Sequence, residues 1–213
     1  MPDPLGRLAA GLGAATPGEA LARLRRHPAV DGRAAAVLAL FTDDPDPLIV
    51  LAERAATMRS HAGQVAFPGG AAEAGDAGPV ATALRESREE VALRPETVEV
   101  IGELPAVHVA VSGFDVTTIV GRWAAPHPLR AADPAEVASV HRVPVSVLTD
   151  PATRCTAVHP RGFRGPAFVF DSDGQELFVW GLTAAILDGL LALGGWARPW
   201  EVARELPVPG ARG

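Results

Sequence analysis

The stretch from Pro68 to Leu93, PGGAAEAGDAGPVATALRESREEVAL, leaves the chain few local choices. Pro68-Gly69-Gly70 predicts the end of a short strand, GQVAF, because proline offers no ladder amide and glycine weakens a strand. AAEAGDAG reads as a loop. From Pro79 the spacing is helical, with Asp76 or Gly78 as the cap and Pro79 at the first helical position. Val80, Ala83, Leu84 and Val91 form a stripe that faces a core, with Glu86, Glu89 and Glu90 largely off it. Residues three and four apart share a helix face, so the three carboxylates project together. Like charges at that spacing cost roughly 0.2–0.5 kcal/mol per pair. Two arrangements offset this: ion pairs with Arg85 and Arg88, or a divalent cation between the carboxylates. Mg²⁺ and Mn²⁺ suit oxygen ligands, and Mg²⁺ shares its shell with substrate phosphates.

The rest of the chain supplies an α/β or α+β frame for this segment. Thr16-Pro17 followed by GEALARLRRH reads as a capped helix. RAAAVLALF and LIVLAER read as strands on either side of the turn TDDPDP. TVEVIGEL and VTTIVGRW are strands, and EVASVHRVPVSVL is a strand followed by a short helix. PAFVF and ELFVW flank a turn at DSDG, and GLTAAILDGLLAL is a buried apolar helix. PVPGARG is a tail with little to bury. The expected domains are an N-terminal helical extension over 1–30, a main domain over 31–195, and a C-terminal extension and tail over 196–213.

Composition excludes several classes of function. The chain has 213 residues, enough for one sizeable core, and a net charge of −6, which argues against nonspecific nucleic-acid binding. All 19 basic residues are arginine, so lysine chemistry is absent. No apolar run is long enough to span a membrane, and the start lacks the layout of a secretory signal. The single cysteine, Cys155, allows no internal disulfide and fits a reducing compartment, with cytoplasm as the expected location. It has no His/Asp arrangement near it in sequence, so a catalytic thiol is not expected. Trp123, Trp180, Trp196 and Trp200 read as packing residues, as does Phe67.

The segment that follows Gly69 resembles the Nudix box, G-x5-E-x7-R-E-U-x-E-E-x-G-U, where U is a bulky aliphatic. Gly70, Arg85-Glu86, Glu89-Glu90 and Leu93 match it. Asp76 stands where the first Glu would be, the next gap is one residue longer, Ser87 replaces an aliphatic and Ala92 replaces a glycine. The longer gap after an Asp is similar to the subfamily that hydrolyses coenzyme A. That subfamily also carries a signature resembling L-L-T-x-R-S-x-x-L-x-x-H-x-G-x-V-x-F-P-G-G. Here the corresponding residues read VLAERAATMRSHAGQVAFPGG. Arg54, His61, Gly63, Val65, Phe67, Pro68, Gly69 and Gly70 match, while Ala52 and Ala55 replace Thr and Ser.

The resemblance implies an α/β class Nudix-type α/β/α sandwich with a mixed sheet, and an enzyme that splits a diphosphate using Mg²⁺ or Mn²⁺. It assigns Glu86 and Glu90 as metal ligands, Glu89 as ligand or water-orienting base, and the Gly69 carbonyl as a further ligand. It gives Arg85 the task of holding the carboxylates, and Asp76 that of pairing with an Arg or capping the helix. Glu136 is the candidate for an extra carboxylate from outside the box, ahead of Glu103 and Asp115. Arg54, Arg59, His61 and Gly70 are the expected substrate contacts, with His61 phosphate-binding or bracing its loop. The implied substrate is a small CoA-like nucleotide, cleaved to 3′,5′-ADP and (acyl-)4′-phosphopantetheine. Two other readings stand beside it: a hydrolase of ADP-ribose, NADH or another nucleoside diphosphate derivative, and a non-catalytic ligand-binding module. No nucleic-acid or membrane partner is expected. Many members of the family dimerise, so a homodimer is compatible with the resemblance.

Overall fold

A computed structural model describes residues 3–13, 30–58 and 62–210. The chain folds around a mixed seven-stranded sheet whose main path is β3-β2-β1-β6-β5, with β4 added on β1 and β7 on β2. The strands are β1 Arg33–Thr42, β2 Leu48–Arg54, β3 Val65–Ala66, β4 Gly69–Ala71, β5 Val98–Val109, β6 Phe114–Trp123 and β7 Val137–Pro144. Strands β1 and β6 run parallel; the other pairs in this sheet are antiparallel. Helix α1 is Gly6–Gly13, α2 is Pro79–Val91, α3 is Val145–Thr149 and α4 is Gly181–Leu193. A second sheet, β10-β9-β8-β11, holds β8 Arg154–Val158, β9 Arg164–Ser172, β10 Gln175–Val179 and β11 Glu205–Pro207.

Strand β1 is buried on both faces over its second half, which is why it reads as a nearly continuous apolar run. Ala36, Leu38 and Leu40 join Val50, Ala52, Ile119 and Trp123 beneath α2, where Ala83 and Val91 complete the layer. Ala39, Phe41, Ile49 and Leu51 face the other way, onto α4 and the second sheet. The mixed sheet with helices on both faces meets the expected α/β class. Among the described residues no helix is long and apolar enough to cross a membrane.

Several local expectations need correction. Strand β3 does end ahead of Pro68, but Gly69 and Gly70 then form a further strand, β4, paired with Ala36 and Val37 of β1. The tail is less bare than its composition suggests, since β11 pairs with β8 and Val208 is buried. Strand β8 was hidden because its first side chain, Arg154, is charged yet fully buried, between Phe168 and Trp200. The helix expected after Thr16 lies outside the described residues. Helix α1 lies N-terminal to that segment, and Leu5 and Leu8 reach the main core. The aromatic residues serve packing: Trp123 and Phe67 are buried, Trp196 lies against Phe41, and Trp180 against His159 and Phe163.

Of the two expected caps, Gly78 rather than Asp76 is the N-cap of helix α2, with Pro79 at the first position as expected and no side-chain cap. The helix ends at Ala92, held in the left-handed region at φ 57° with its amide bonded to the Ser87 carbonyl. Alanine pays for that conformation through its Cβ, whereas glycine does not. Ala92→Gly is therefore expected to stabilise the fold by about 1 kcal/mol, seen as a rise of roughly 2–4 °C in melting temperature.

Candidate active site

The antiparallel pairing of β4 with β1 decides which backbone groups the site receives. Leu38 N–H bonds to Pro68 O and Ala72 N–H to Ala34 O, so Gly70 is the ladder-bonded residue of β4. Gly69 and Ala71 turn their polar groups away from β1, and α2 uses both. Gly69 N–H donates to Glu90 Oε2 at 2.9 Å, and Ala71 O accepts from Arg85 Nη2 at 2.9 Å. Neither glycine is replaceable without movement. Gly69 sits at φ +154°, and a Cβ there would strike the Ala36 carbonyl oxygen. A Cβ on Gly70 would lie 2.6 Å from the Glu86 carboxylate. Gly70→Ala is expected to displace Glu86 and cut turnover by about 10-fold or more, with a smaller loss of stability, measured by steady-state rates beside thermal melts.

The three glutamates occupy different environments. Glu89 is exposed, Glu86 is half-buried and Glu90 is buried at 4% exposure. The inward stripe of α2 thus differs from the one expected: Val80 is exposed, while Thr82, Ser87 and Glu90 are buried. Ser87 replaces a bulky aliphatic because its hydroxyl can bond back to the Ala83 carbonyl, at 2.6 Å. Burial pushes the Glu90 carboxyl up to about 7, partly offset by the Gly69 amide and the Arg54 charge. Burial also raises Glu86, with Arg85 opposing it and Glu89 and Glu136 adding to it. Glu136 thus stands close enough to Glu86 and Glu90 for its charge to be felt by both.

Arg85 makes five hydrogen bonds to four acceptor groups. Its Nε and Nη2 form a fork on Asp76 at 3.1 and 3.0 Å, its Nη1 reaches Glu86 at 3.0 Å and Glu89 at 3.1 Å, and its Nη2 holds Ala71 O. Asp76 is held well below the usual carboxylate range, first by the Arg85 hydrogen bond and then by the Glu73 amide. Asp76 also accepts from the Thr82 hydroxyl, so it braces the loop against α2. Of the two offsets considered for the charge cluster, the Arg85 pairs are present, and they leave Glu90 out.

Glu90 has a different cation. Arg54 Nη1 lies 3.6 Å from Glu90 Oε1, too long for a hydrogen bond, and Arg54 Nε is buried without a partner among the described residues. Beside Arg54 the register slips: Glu53 pairs with Ser139 and Arg54 with Val137, so Ala138 of β7 is the extra residue of a bulge. The next amide after Arg54, Ala55 N–H, bonds to the Glu136 carbonyl at 2.8 Å. Arg54 and Glu136, far apart in sequence, thereby reach the same corner as Glu86 and Glu90. Arg59 and His61 lie outside the described residues. Asp115 is occupied elsewhere, accepting from His108, Gly32 and Val30, and Glu103 is an exposed residue of β5. Cys155 is fully buried, and burial raises its thiol pKa, so it stays inert.

Among the described residues no three Asp, Glu, His or Cys side chains form a closed metal cluster. The donors that do converge are carboxylate oxygens, one of them buried with incomplete charge compensation, around a turn kept open by two glycines. That set fits a hard divalent cation completing its shell with water and substrate oxygens rather than an all-protein cage.

The NUDIX domain profile matches residues 32–161. Over 158 residues the chain is 47% identical to a Cronobacter sakazakii protein named uncharacterized Nudix hydrolase NudL, covering 73% of this chain and 79% of that one. The protein of the same name from Salmonella paratyphi B is 44% identical over 164 residues, covering 76% and 82%. A solved MutT/nudix family protein from Enterococcus faecalis superposes with a TM-score of 0.48 at 15% identity, over 84% of this chain and 69% of that one.

Proposed function

The chain belongs to the Nudix hydrolase family, and from that premise we propose that it hydrolyses the diphosphate of coenzyme A or an acyl-CoA. The family's chemistry makes it a pyrophosphohydrolase that uses a divalent ion on a nucleoside diphosphate derivative. The CoA assignment rests on one observation: the CoA-type signature and the glutamate cluster meet in space, with Arg54 beside Glu90. The buried, unpartnered Nε and the long contact to Glu90 leave Arg54 with donor capacity for a phosphate oxygen. Ala52 and Ala55 are both buried, so the hydroxyls the signature has at these positions would face protein. Their absence weighs little against a CoA substrate.

In this reading Glu86, Glu90 and the Gly69 carbonyl hold Mg²⁺ or Mn²⁺, with Glu89 as a further ligand or as the group that orients water. When bound, the ion lowers the pKa of the attacking water and offsets the charge of the phosphate oxygens. Glu136, or Glu89, accepts the water proton on a carboxylate oxygen. Arg85 fixes the rotamers of Glu86 and Glu89 through its hydrogen bonds. Arg54, with Arg59 and His61 a few residues on in the sequence, binds the phosphates, and Gly70 leaves room for Glu86. Water adds across one P–O bond of the diphosphate, giving 3′,5′-ADP and (acyl-)4′-phosphopantetheine.

The test is to incubate the pure protein with CoA, ADP-ribose and NADH, each with Mg²⁺ or Mn²⁺, and to separate the products by chromatography. Preferential release of 3′,5′-ADP is expected. Turnover confined to ADP-ribose or NADH would remove the CoA assignment and keep the hydrolase. No turnover with any of them, together with ligand-dependent thermal stabilisation, would favour a binding module.

A further inference from the structure

Strands β2 and β7 carry, on the face away from α2, a row of polar side chains that the chemistry above does not use. His141 is buried at 3% exposure. Its Nε2 lies 2.7 Å from Ser139 Oγ and its Nδ1 lies 3.1 Å from Ser172 Oγ of the second sheet. Ser139 Oγ also lies 2.8 Å from Glu53 Oε2, which accepts from Gln175 Nε2 at 3.0 Å as well. The proton arithmetic gives this row one direction. A hydroxyl has a single proton, and Ser139 donates it to Glu53, so its contact with the imidazole must be Nε2–H donating to Oγ. Burial lowers the His141 pKa and so favours the neutral ring, against the opposing charges of Glu53 and Asp173. Neutral His141 then presents the lone pair of Nδ1 to the Ser172 hydroxyl. The order is Ser172 to His141 to Ser139 to Glu53, every donor matched to an acceptor.

The end of this row coincides with the bulge. Glu53 and Ser139 are cross-strand partners, and the very next pair, Arg54 with Val137, is out of step by one residue. The extra residue is Ala138 on β7, and a one-residue change of register turns the side chains that precede it to the opposite face of the sheet, so Val137 joins the layer beneath α2. The Ser139–Glu53 hydrogen bond ties the last pair before the slip, and the Ala55–Glu136 backbone bond ties the chain just after it. We propose that the Ser172–His141–Ser139–Glu53 row is a positioning device for the hydrolase site: it fixes the β2–β7 bulge in the register that delivers Glu136 to the glutamates beside Arg54. This rests on the reading above that Arg54 and Glu136 serve the reaction. It makes the hairpin of β9 and β10, which carries Ser172 and Gln175, a support of a site built on the other sheet.

The experiment is a double-mutant cycle in the full chain, read as kcat/KM with Mg²⁺ on the best of CoA, ADP-ribose and NADH. Ser139→Ala is expected to lower kcat/KM by roughly 10- to 100-fold, the scale of a small misplacement of reacting groups. Ser139→Thr keeps the hydroxyl and should restore most of the rate. Glu53→Gln breaks the same row from its other end and should act in the same direction. In the background of Glu136→Gln the Ser139→Ala effect should largely disappear, because both changes act through one side chain. Additive effects, or wild-type kcat/KM in Ser139→Ala, would overturn the proposal while leaving the hydrolase intact. A wild-type protein that turns over none of the three substrates overturns the hydrolase reading first, so the two failures are distinct.

Discussion

Glu90→Gln is expected to reduce metal-dependent turnover by on the order of 10³-fold while leaving the chain folded. Glutamine keeps the shape and an oxygen that can accept from the Gly69 amide, so β4 and α2 should stay joined. What it removes is the charge. In the metal-free protein that charge is a liability, because burial holds the folded carboxyl at about 7 against an ordinary value of 4.5. The sign follows from proton binding: between those two values the folded state holds a proton that the unfolded state has released. Stability should therefore fall as pH rises from about 4.5 to about 7, by at most about 3 kcal/mol from this group. In chelator, Glu90→Gln should lack this loss and be the more stable protein at pH 8, measured by urea unfolding. Added Mg²⁺ or Mn²⁺ should raise the melting temperature of the wild type far more than that of the variant. Equal metal-induced stabilisation of both proteins would remove Glu90 from the ligand set.

The glutamate cluster was legible from its spacing, because a helix needs only local sequence to bring three carboxylates onto one side. Its inner differences were not. Glu90 is buried by contacts with the turn, its amide partner Gly69 lying 21 residues back. Spacing alone places Glu90 off the core stripe and Val80 on it, whereas Glu90 is buried and Val80 exposed. Glu136 is a candidate from sequence only by its place before a strand; its nearness to Glu86 and Glu90 depends on strand pairing that no local pattern encodes. His141 gave no signal at all, since an isolated histidine in VHRV reads as an ordinary strand residue. The strands β8 and β11 escaped for a related reason. Arg154 is buried because Asp188 and two aromatic rings receive it, and β11 is only three residues long, so its parallel partner defines it.

Arg85→Ala should be the second most damaging change, and its signature should differ from that of Glu90→Gln. Arg85 joins the loop, through Asp76 and Ala71, to two of the glutamates, so its loss frees a carboxylate rotamer as well as a charge. Losing a group that orients ligands typically costs about 10- to 100-fold in metal affinity or activity. Glu86 supplies the distinguishing readout. Burial already raises its pKa, and Arg85 is the largest influence lowering it. Without Arg85 the carboxyl should protonate at higher pH, and the acid limb of the kcat/KM profile should move toward alkaline pH. Arg85→Lys retains a positive charge but cannot span Asp76, Ala71 and Glu86 at once, because an ammonium lacks the planar fork. It should therefore recover much of the pH profile and little of the rate. If Arg85→Ala lost activity with an unmoved acid limb, Arg85 would matter for the loop alone, and Glu86 would not be the carboxylate whose ionisation limits turnover at low pH.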